Sequence, residues 1–106
     1  MSSPPQHMEA LKSGNVIRLE RAQLRREIAA LGYVEGLAKA LEVIALPPPE
    51  CGGMRVEQLL RAVHRFGPER ARVTMLRARV SPLATLAALT LRQREALRSQ
   101  LDRDQG

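Results

Sequence analysis

Two apolar patterns with the period of an α-helix lie on either side of Gly67-Pro68, and they constrain the fold more than any other feature. The residues before this break that recur on one helical face are Val56, Leu59, Leu60 and Val63. The residues after it are Ala71, Thr74, Met75 and Ala78. Gly67 can take a positive φ without a Cβ clash, and Pro68 suits the first position of a helix. Residues 54–80 are therefore predicted to form two helices joined by a sharp turn at Gly67.

Further helical patterns precede this stretch. Residues 1–13 are polar and contain two adjacent prolines, which predicts a loose arm. Residues 14–45 carry two amphipathic patterns separated by Gly32. They predict two N-terminal helices, the first of which is capped by a serine or an asparagine within residues 13–15. The segment LPPPECGG, residues 46–53, does not continue a helix, because each proline disfavours helical backbone in the residue before it; we expect a linker there.

The C-terminal part predicts more helix and no strand. Three leucines spaced by three predict one or two tight helical turns: Leu83, Leu86 and Leu89. Thr90 and Gln93 fit the capping-box pattern of a last helix, which is followed by a tail over residues 102–106. Three arginines of that helix are expected to point outward: Arg92, Arg94 and Arg98. Because no segment alternates with period two, the fold class predicted is all-α, a small helical domain whose module over residues 54–101 follows the N-terminal helices.

The charge of the chain is distributed unevenly. The sequence holds 17 Lys and Arg against 11 Asp and Glu, which gives a net charge of +6. Residues 1–53 carry equal numbers of basic and acidic groups, so the whole excess lies in residues 54–106. Most of the basic residues are arginines, whose guanidinium groups fork onto phosphate oxygens. The asymmetry predicts an anionic partner for the C-terminal half, although an arginine-rich proteome encoded by GC-rich DNA would also raise the arginine content.

The first predicted helix separates its charges. At 100° per residue, Arg18, Arg21 and Arg25 lie together beside the apolar face. Glu20 and Glu27 fall on the other flank of the helix. Such a stripe is either a second contact surface for an anion or a solvated face with i, i+4 ion pairs.

The turn at Gly67 is the most specific candidate site. A helix that begins at Pro68 leaves backbone N–H groups open at the positive end of its dipole, which favours phosphate. Arg65 precedes the turn and Arg70 follows it, whereas Glu69 in the first helical turn would repel phosphate. The residues predicted to bind nucleic acid are Arg65, Gly67, Arg70, Arg77, Arg92 and Arg94, with Arg18 and Arg25 as a second contact surface.

Nothing in the sequence predicts catalysis, a metal site or a cofactor. The histidines, His7 and His64, are far apart and Cys51 is the only cysteine, so they provide neither a nucleophile with its base nor the spacing of zinc ligands. No glycine-rich phosphate loop is present. A single cysteine excludes an internal disulfide and favours a reducing compartment, and no apolar run approaches the length of a membrane span. We expect a non-enzymatic protein of the cytoplasm.

An ordered set of residues between Gly53 and Leu101 matches a known family. The matching positions are Met54-Arg55-Val56, Leu59-Leu60, Gly67, Arg70-Ala71, Met75, Leu89, Arg92-Gln93-Arg94 and Ala96-Leu97. On these residues the chain resembles the actinobacterial, mycobacterial-type integration host factors, a helix-two-turns-helix family. The resemblance implies a small nucleoid-associated protein that contacts mainly phosphates of double-stranded DNA, bends or compacts it with little sequence specificity, and assists phage integration.

Two departures from the family pattern leave other functions open. Pro68 stands where the family has a lysine, and the uncharged segment 83–88 replaces an arginine-rich stretch. One alternative is an RNA- or ribosome-associated binder, because similar helical corners occur in a small-subunit ribosomal protein; the scarcity of aromatic residues argues against RNA-binding sheets and single-strand clefts. The other is a protein-interaction module that has lost DNA binding, in which Val73 and Leu76 form an edge for self-association or helix docking.

Overall fold

Residues 6–105 form five α-helices and one short 3₁₀ helix. The computed structural model describes the backbone of residues 6–105 and the side chains of residues 14–103. The α-helices are α1 (Gln6–Ala30), α2 (Tyr33–Ala45), α3 (Val56–Ala62), α4 (Pro68–Arg77) and α5 (Leu91–Gln105), and the 3₁₀ helix is Pro49–Cys51. Since residues 6–105 contain no strand, the predicted all-α class is confirmed. Across the same residues, no helix has both the length and the apolar character needed to cross a membrane.

α1 begins earlier than the sequence predicts. Its backbone is helical from Gln6, so residues 6–13 are helical instead of forming the predicted loose arm, whose residues 1–5 lie outside the described residues. A single glycine, Gly14, does not interrupt the helix, because it costs only about 1 kcal/mol relative to alanine. The predicted end is confirmed, since α1 stops at Ala30 and Gly32 has the positive φ of 39° that favours glycine.

α1 and α2 approach each other closely at Gly36. Among the side chains that the structure describes, the buried apolar residues of the two helices are Leu24, Ile28, Leu37, Ala40, Val43 and Ile44. A Cβ atom at position 36 would lie 3.0 Å from the backbone oxygen of Ile28 and 3.6 Å from Cγ1 of Val63. The absence of a side chain therefore allows the helices to pack, which offsets the low helix propensity of glycine.

The predicted linker, residues 46–53, is packed against α1. The Nε atom of Arg21 donates to the backbone oxygen of Glu50 at 3.1 Å. A Cβ atom at Gly53 would lie only 2.6 Å from Nη2 of the same arginine. Cys51 is buried in the core. Arg21 thus fastens this segment to α1.

The segment between α4 and α5 contains no helix, but it makes tight turns of the kind predicted from its leucine spacing. The N–H of Ala84 donates to Ser81 O at 3.0 Å, and the N–H of Ala88 donates to Thr85 O at 3.1 Å. Its backbone also pairs with residues 52–56: the N–H of Leu86 donates to Met54 O at 2.9 Å, and the N–H of Val56 donates to Ala84 O at 3.0 Å. Leu86 and Leu89 are buried, whereas Leu83 is 67 % exposed. Of the three leucines, therefore, only Leu86 and Leu89 anchor this loop in the core.

The faces predicted on either side of the break are confirmed. All eight residues of the two patterns are buried: Val56, Leu59, Leu60, Val63, Ala71, Thr74, Met75 and Ala78. The capping box of α5 is also confirmed, since Thr90 N donates to Gln93 Oε1 at 3.0 Å and Gln93 N donates to Thr90 Oγ1 at 3.1 Å. Buried side chains from all five helices join one apolar core.

The predicted docking edge on α4 is open among the described residues. Leu76 is 65 % exposed and Val73 is half-buried. The described part of α1 packs against α2, α3 and the 3₁₀ helix but not against α4, so it does not dock on this edge.

Candidate nucleic-acid interface

The turn between α3 and α4 has its left-handed residue at Arg65. Arg65 has a φ of 64°, and the N–H of Phe66 donates to Val63 O at 2.9 Å, as in a type II turn, whose third residue needs a positive φ. Gly67 has a φ of −73° and a ψ of 171°, an extended conformation that any residue adopts. The prediction that Gly67 turns the chain through a positive φ is therefore wrong. An arginine does so, at a cost of about 1–2 kcal/mol.

The N-terminus of α4 is exposed and not capped by a side chain. Gly67 makes no capping hydrogen bond through a side chain, and a Cβ atom there would meet nothing within 4 Å. Glu69, the acidic residue that fits an anion site least well, is bound by Arg72, with Nη2 2.6 Å from Oε1 and Nε 3.2 Å from Oε2. These hydrogen bonds, with the adjacent charge of Arg72, lower the pKa of Glu69. The pairing offsets the negative charge beside the turn.

A groove of about 320 Å³, the corner groove, opens at this turn. Its lining residues are Arg61, Val63, Arg65, Phe66, Gly67 and Pro68. Val63 and Phe66 are each only 2 % exposed, whereas Arg61 and Arg65 are exposed. The corner groove therefore combines two solvent-facing guanidinium groups with an apolar base.

A second groove, the α1–α3 groove, has a volume of about 510 Å³ and lies between these two helices. Its lining residues are Ala22, Arg25, Arg26, Ala29, Gln58, Arg61 and Ala62. Arg61 lines both grooves, so they adjoin at the end of α3. Its contact with Glu57, Nη1 to Oε1 at 3.3 Å, is a solvent-exposed pair of the kind that contributes little to stability. We call the residues of the two grooves together the basic surface.

Arg18 extends the basic surface along α1. Arg18, Ala22 and Arg25 lie within about 60° of one another around an ideal helix, and Arg18 is exposed. Glu20 and Glu27 lie elsewhere, where they line a small cavity between α1 and α2. The predicted separation of charge on α1 is therefore confirmed, except that Arg21 binds the linker instead of joining the stripe (see Overall fold).

Arg70 lies against both aromatic rings of the chain. Its Cζ atom is 5.1 Å from the ring centroid of Tyr33 and 5.2 Å from that of Phe66. These distances are within the range of cation–π attraction. Because Phe66 also lines the corner groove, Arg70 lies beside that groove and links the start of α2 to α4.

The remaining predicted site residues lie away from the grooves. Arg77 is exposed in the last turn of α4, at the opposite end of that helix from Gly67, and Arg92 is exposed at the start of α5. The prediction that Arg94 points outward is wrong. Its Nη1 donates to the backbone oxygen of Ile44 and its Nη2 donates to Leu86 O at 2.9 Å. Arg94 therefore joins α5 both to α2 and to the loop that precedes α5.

Sequence reasoning missed two arginines of the basic surface, Arg26 and Arg61. Helical periodicity places Arg26 beside Arg25, and Arg61 four residues after Glu57 on the polar side of α3. These positions predict exposure. Their convergence depends on the packing of α1 against α3, which local spacing does not encode.

The titratable groups outside this surface form no catalytic arrangement among the described side chains. Cys51 is buried, and burial raises the pKa of its thiol. His64 is exposed in the turn before Arg65, and the side chain of His7 lies outside the described residues. Across the part of the chain that the structure describes, no three His, Cys, Asp or Glu side chains are grouped as metal ligands.

The fold and the basic surface together define an all-α domain with a basic face built from three chain segments. No protein-family model matches the sequence, and no curated protein matches it. A solved structure of sIHF bound to an 8-bp palindromic DNA is similar, with a TM-score of 0.66 and 23 % sequence identity, over 90 % of this chain and 99 % of that chain. sIHF is an integration host factor. The similarity shows that this chain has the fold of that protein.

Proposed function

We propose that this chain is a non-enzymatic protein that binds duplex DNA through its phosphates, with little dependence on base sequence. One observation carries the proposal: Arg61 lines both the corner groove and the α1–α3 groove. Guanidinium groups from α1, α3 and the following turn, those of Arg25, Arg61 and Arg65, therefore border one continuous surface. The planar fork of a guanidinium group matches phosphate oxygens in geometry and charge.

The dimensions and lining of the basic surface suit a nucleic-acid backbone. Arg18 and Arg25 are seven residues apart on α1, an axial distance of about 10 Å. About three phosphates of one strand occupy that length of B-DNA. Three of the residues that line the α1–α3 groove are alanines, whose side chains have no polar atoms with which to read base edges. The polar side chains of this groove belong to Gln58 and to three arginines, whose guanidinium groups fork onto phosphate oxygens.

A duplex suits this chain better than a single strand. Proteins that bind single strands stack the bases on exposed aromatic rings. Phe66 is buried, and the guanidinium group of Arg70 covers the rings of both Phe66 and Tyr33. These are the only aromatic residues of the sequence, so stacking is not a plausible source of affinity.

The similarity to sIHF supports the same class of partner, because that protein was solved with DNA. We infer an architectural protein of integration-host-factor type that acts on the nucleoid or on mobile elements in the cytoplasm. The residues assigned to DNA contact are Arg18, Arg25, Arg26, Arg61, Arg65 and Gly67, with Arg70 beside them. Arg77 and Arg92 remain candidates for contacts beyond this surface, and Arg94 is assigned a structural role.

The proposal is tested by removing two charges from the basic surface. Arg25→Ala combined with Arg61→Ala alters both grooves. Arg98→Ala combined with Arg103→Ala removes the same net charge from exposed positions of α5 that line neither groove. Fluorescence anisotropy with several unrelated duplexes at low salt compares the two variants with the unmodified chain.

The first variant should weaken binding by about ten-fold or more for every duplex, because phosphate contacts do not distinguish sequences. The second should weaken it by no more than about two-fold. Equal losses in the two variants, or no duplex binding by the unmodified chain, would overturn the proposal. A structured RNA of equal length serves as competitor, and its preferential binding would favour an RNA-associated role over the DNA-binding one.

A further inference from the structure

Two arginines hold a backbone conformation that normally belongs to glycine. Arg65 has a φ of 64° and Arg79 a φ of 58°, and they are the only non-glycine residues with positive φ in the described part of the chain. A side chain at such a φ clashes with its own backbone, whereas glycine has no Cβ to clash. At both positions, therefore, arginine strains the backbone more than glycine would.

The two positions differ in their surroundings. Arg79 follows α4 and completes a common helix ending, in which the N–H of Val80 donates to Met75 O at 2.9 Å and that of Arg79 donates to Leu76 O at 3.1 Å. It lines neither groove. Arg65 lies in the corner groove, two residues before Gly67, whose own φ is negative.

The turn fixes the direction in which the Arg65 side chain leaves the backbone. Val63 and Phe66, which flank the turn, are each 2 % exposed, and the hydrogen bond between Phe66 N and Val63 O closes it. The backbone between two buried anchors has little freedom, so the Cα–Cβ bond of Arg65 has a set orientation. The cost of ordering this backbone is met during folding and is not met again on binding, when only the rotatable bonds of the side chain remain to be ordered.

Resting on the proposed function, we propose that Arg65 is a pre-positioned phosphate contact, whose strained backbone is retained because it directs the guanidinium group to the DNA. At position 65, the residue that favours DNA binding is then not the residue that makes the folded chain most stable. Glycine there relieves the strain and removes the contact. At position 79 glycine relieves the same strain and leaves the DNA contacts intact.

The experiment compares Arg65→Gly with Arg79→Gly, a matched control with the same residue, the same backbone region and the same change in charge. Both variants should melt a few degrees higher than the unmodified chain. Arg65→Gly should weaken duplex binding about five- to twenty-fold and flatten the plot of log K against log salt by about one unit. Arg79→Gly should lose no more than about two-fold in affinity, the part due to net charge alone.

The inference is overturned if Arg65→Gly fails to raise the melting temperature, or if the two variants bind duplex DNA equally well. The comparison of affinities requires that the unmodified chain binds duplex DNA, whereas the comparison of melting temperatures does not. Failure of the proposed function is recognised separately, because the unmodified chain would then form no complex with duplex DNA. Arg65→Lys keeps the positive charge and the strained backbone but removes the planar fork of the guanidinium group. An affinity for duplex DNA between those of the unmodified chain and Arg65→Gly would support a contact that uses this fork. An affinity as low as that of Arg65→Gly would support it further.

Discussion

The guanidinium group of Arg94 donates to the backbone oxygen of Ile44 and thereby holds the start of α5 against the end of α2. Ile44 lies in the last turn of α2, where carbonyl groups have no partner within the helix. The same guanidinium group also donates to Leu86 O in the loop before α5. One arginine thus satisfies acceptors on two separate elements, which gives it a structural role.

Replacing Arg94 by alanine should destabilise the domain. A hydrogen bond from a charged donor contributes about 1.5–3 kcal/mol, and partial exposure favours the lower end. Arg94 makes two such bonds, so we expect a loss of about 3 kcal/mol. Urea unfolding followed by circular dichroism measures it. Arg98→Ala is the control, because Arg98 is exposed on the same helix and should change the stability by less than about 0.5 kcal/mol. Similar stabilities for the two variants would contradict the structural role.

Replacement by alanine should have opposite effects on stability at Gly14 and at Gly36. Gly14 lies inside α1, and a Cβ atom there would meet nothing within 4 Å, so Gly14→Ala should stabilise the chain by up to about 1 kcal/mol. At Gly36 the new Cβ would press on the backbone of Ile28 at 3.0 Å. There the overpacking, about 1–3 kcal/mol, should exceed the gain in propensity. Thermal melts compare the variants, and a stabilised Gly36→Ala would show that the helices are less closely packed.

The contact of Arg70 with Tyr33 should appear as a coupling energy. A double-mutant cycle with Arg70→Ala, Tyr33→Leu and the combined variant isolates the pairwise contribution. For a cation–π pair at a partly exposed site, we expect about 0.5–1 kcal/mol. Chemical unfolding of the four proteins gives the value. Additive effects of the two substitutions would mean that the distance of 5.1 Å does not correspond to an energetic interaction.

A carboxylate at Gly67 should separate helix stability from DNA binding. Open space around Gly67 accommodates a side chain, and Asp and Asn both cap helices better than glycine, by about a few tenths of a kcal/mol. Gly67→Asp should therefore stabilise α4 and yet weaken duplex binding several-fold, because it places a negative charge at the proposed phosphate site. Gly67→Asn supplies a cap of the same shape without the charge. Equal affinities of the two variants would argue against phosphate contact at this helix end.

The parts of the fold that could be predicted are those determined by interactions among a few consecutive residues. The apolar faces of α3 and α4 follow from helical periodicity, and each residue of both patterns is buried. The cap of α5 follows from Thr90 and Gln93, three positions apart. Gly32 ends α1 through its own positive φ. In each case the structure-forming interaction is local, so the sequence spacing contains it.

Several of the wrong predictions concern interactions between distant segments. Arg94 has acceptors 50 and 8 residues away, and the loop after α4 takes its register from residues 52–56. Within the site, Arg65 and Gly67 are predicted together because they are neighbours in the chain. Arg61 joins them to Arg25 only through the packing of α1 on α3. The left-handed turn at Arg65 escapes prediction because glycine, two residues later, is the usual occupant of such a position.

The salt dependence of duplex affinity is the most direct test of DNA binding by the basic surface. For about five neutralised phosphates, log K against log salt should have a slope of about −4 to −5 for the unmodified chain. In Arg25→Ala with Arg61→Ala, the slope should become less negative by about two units, while Arg98→Ala with Arg103→Ala should keep the original slope. A slope near zero for the unmodified chain, or the same slope in all three proteins, would contradict phosphate binding at this surface.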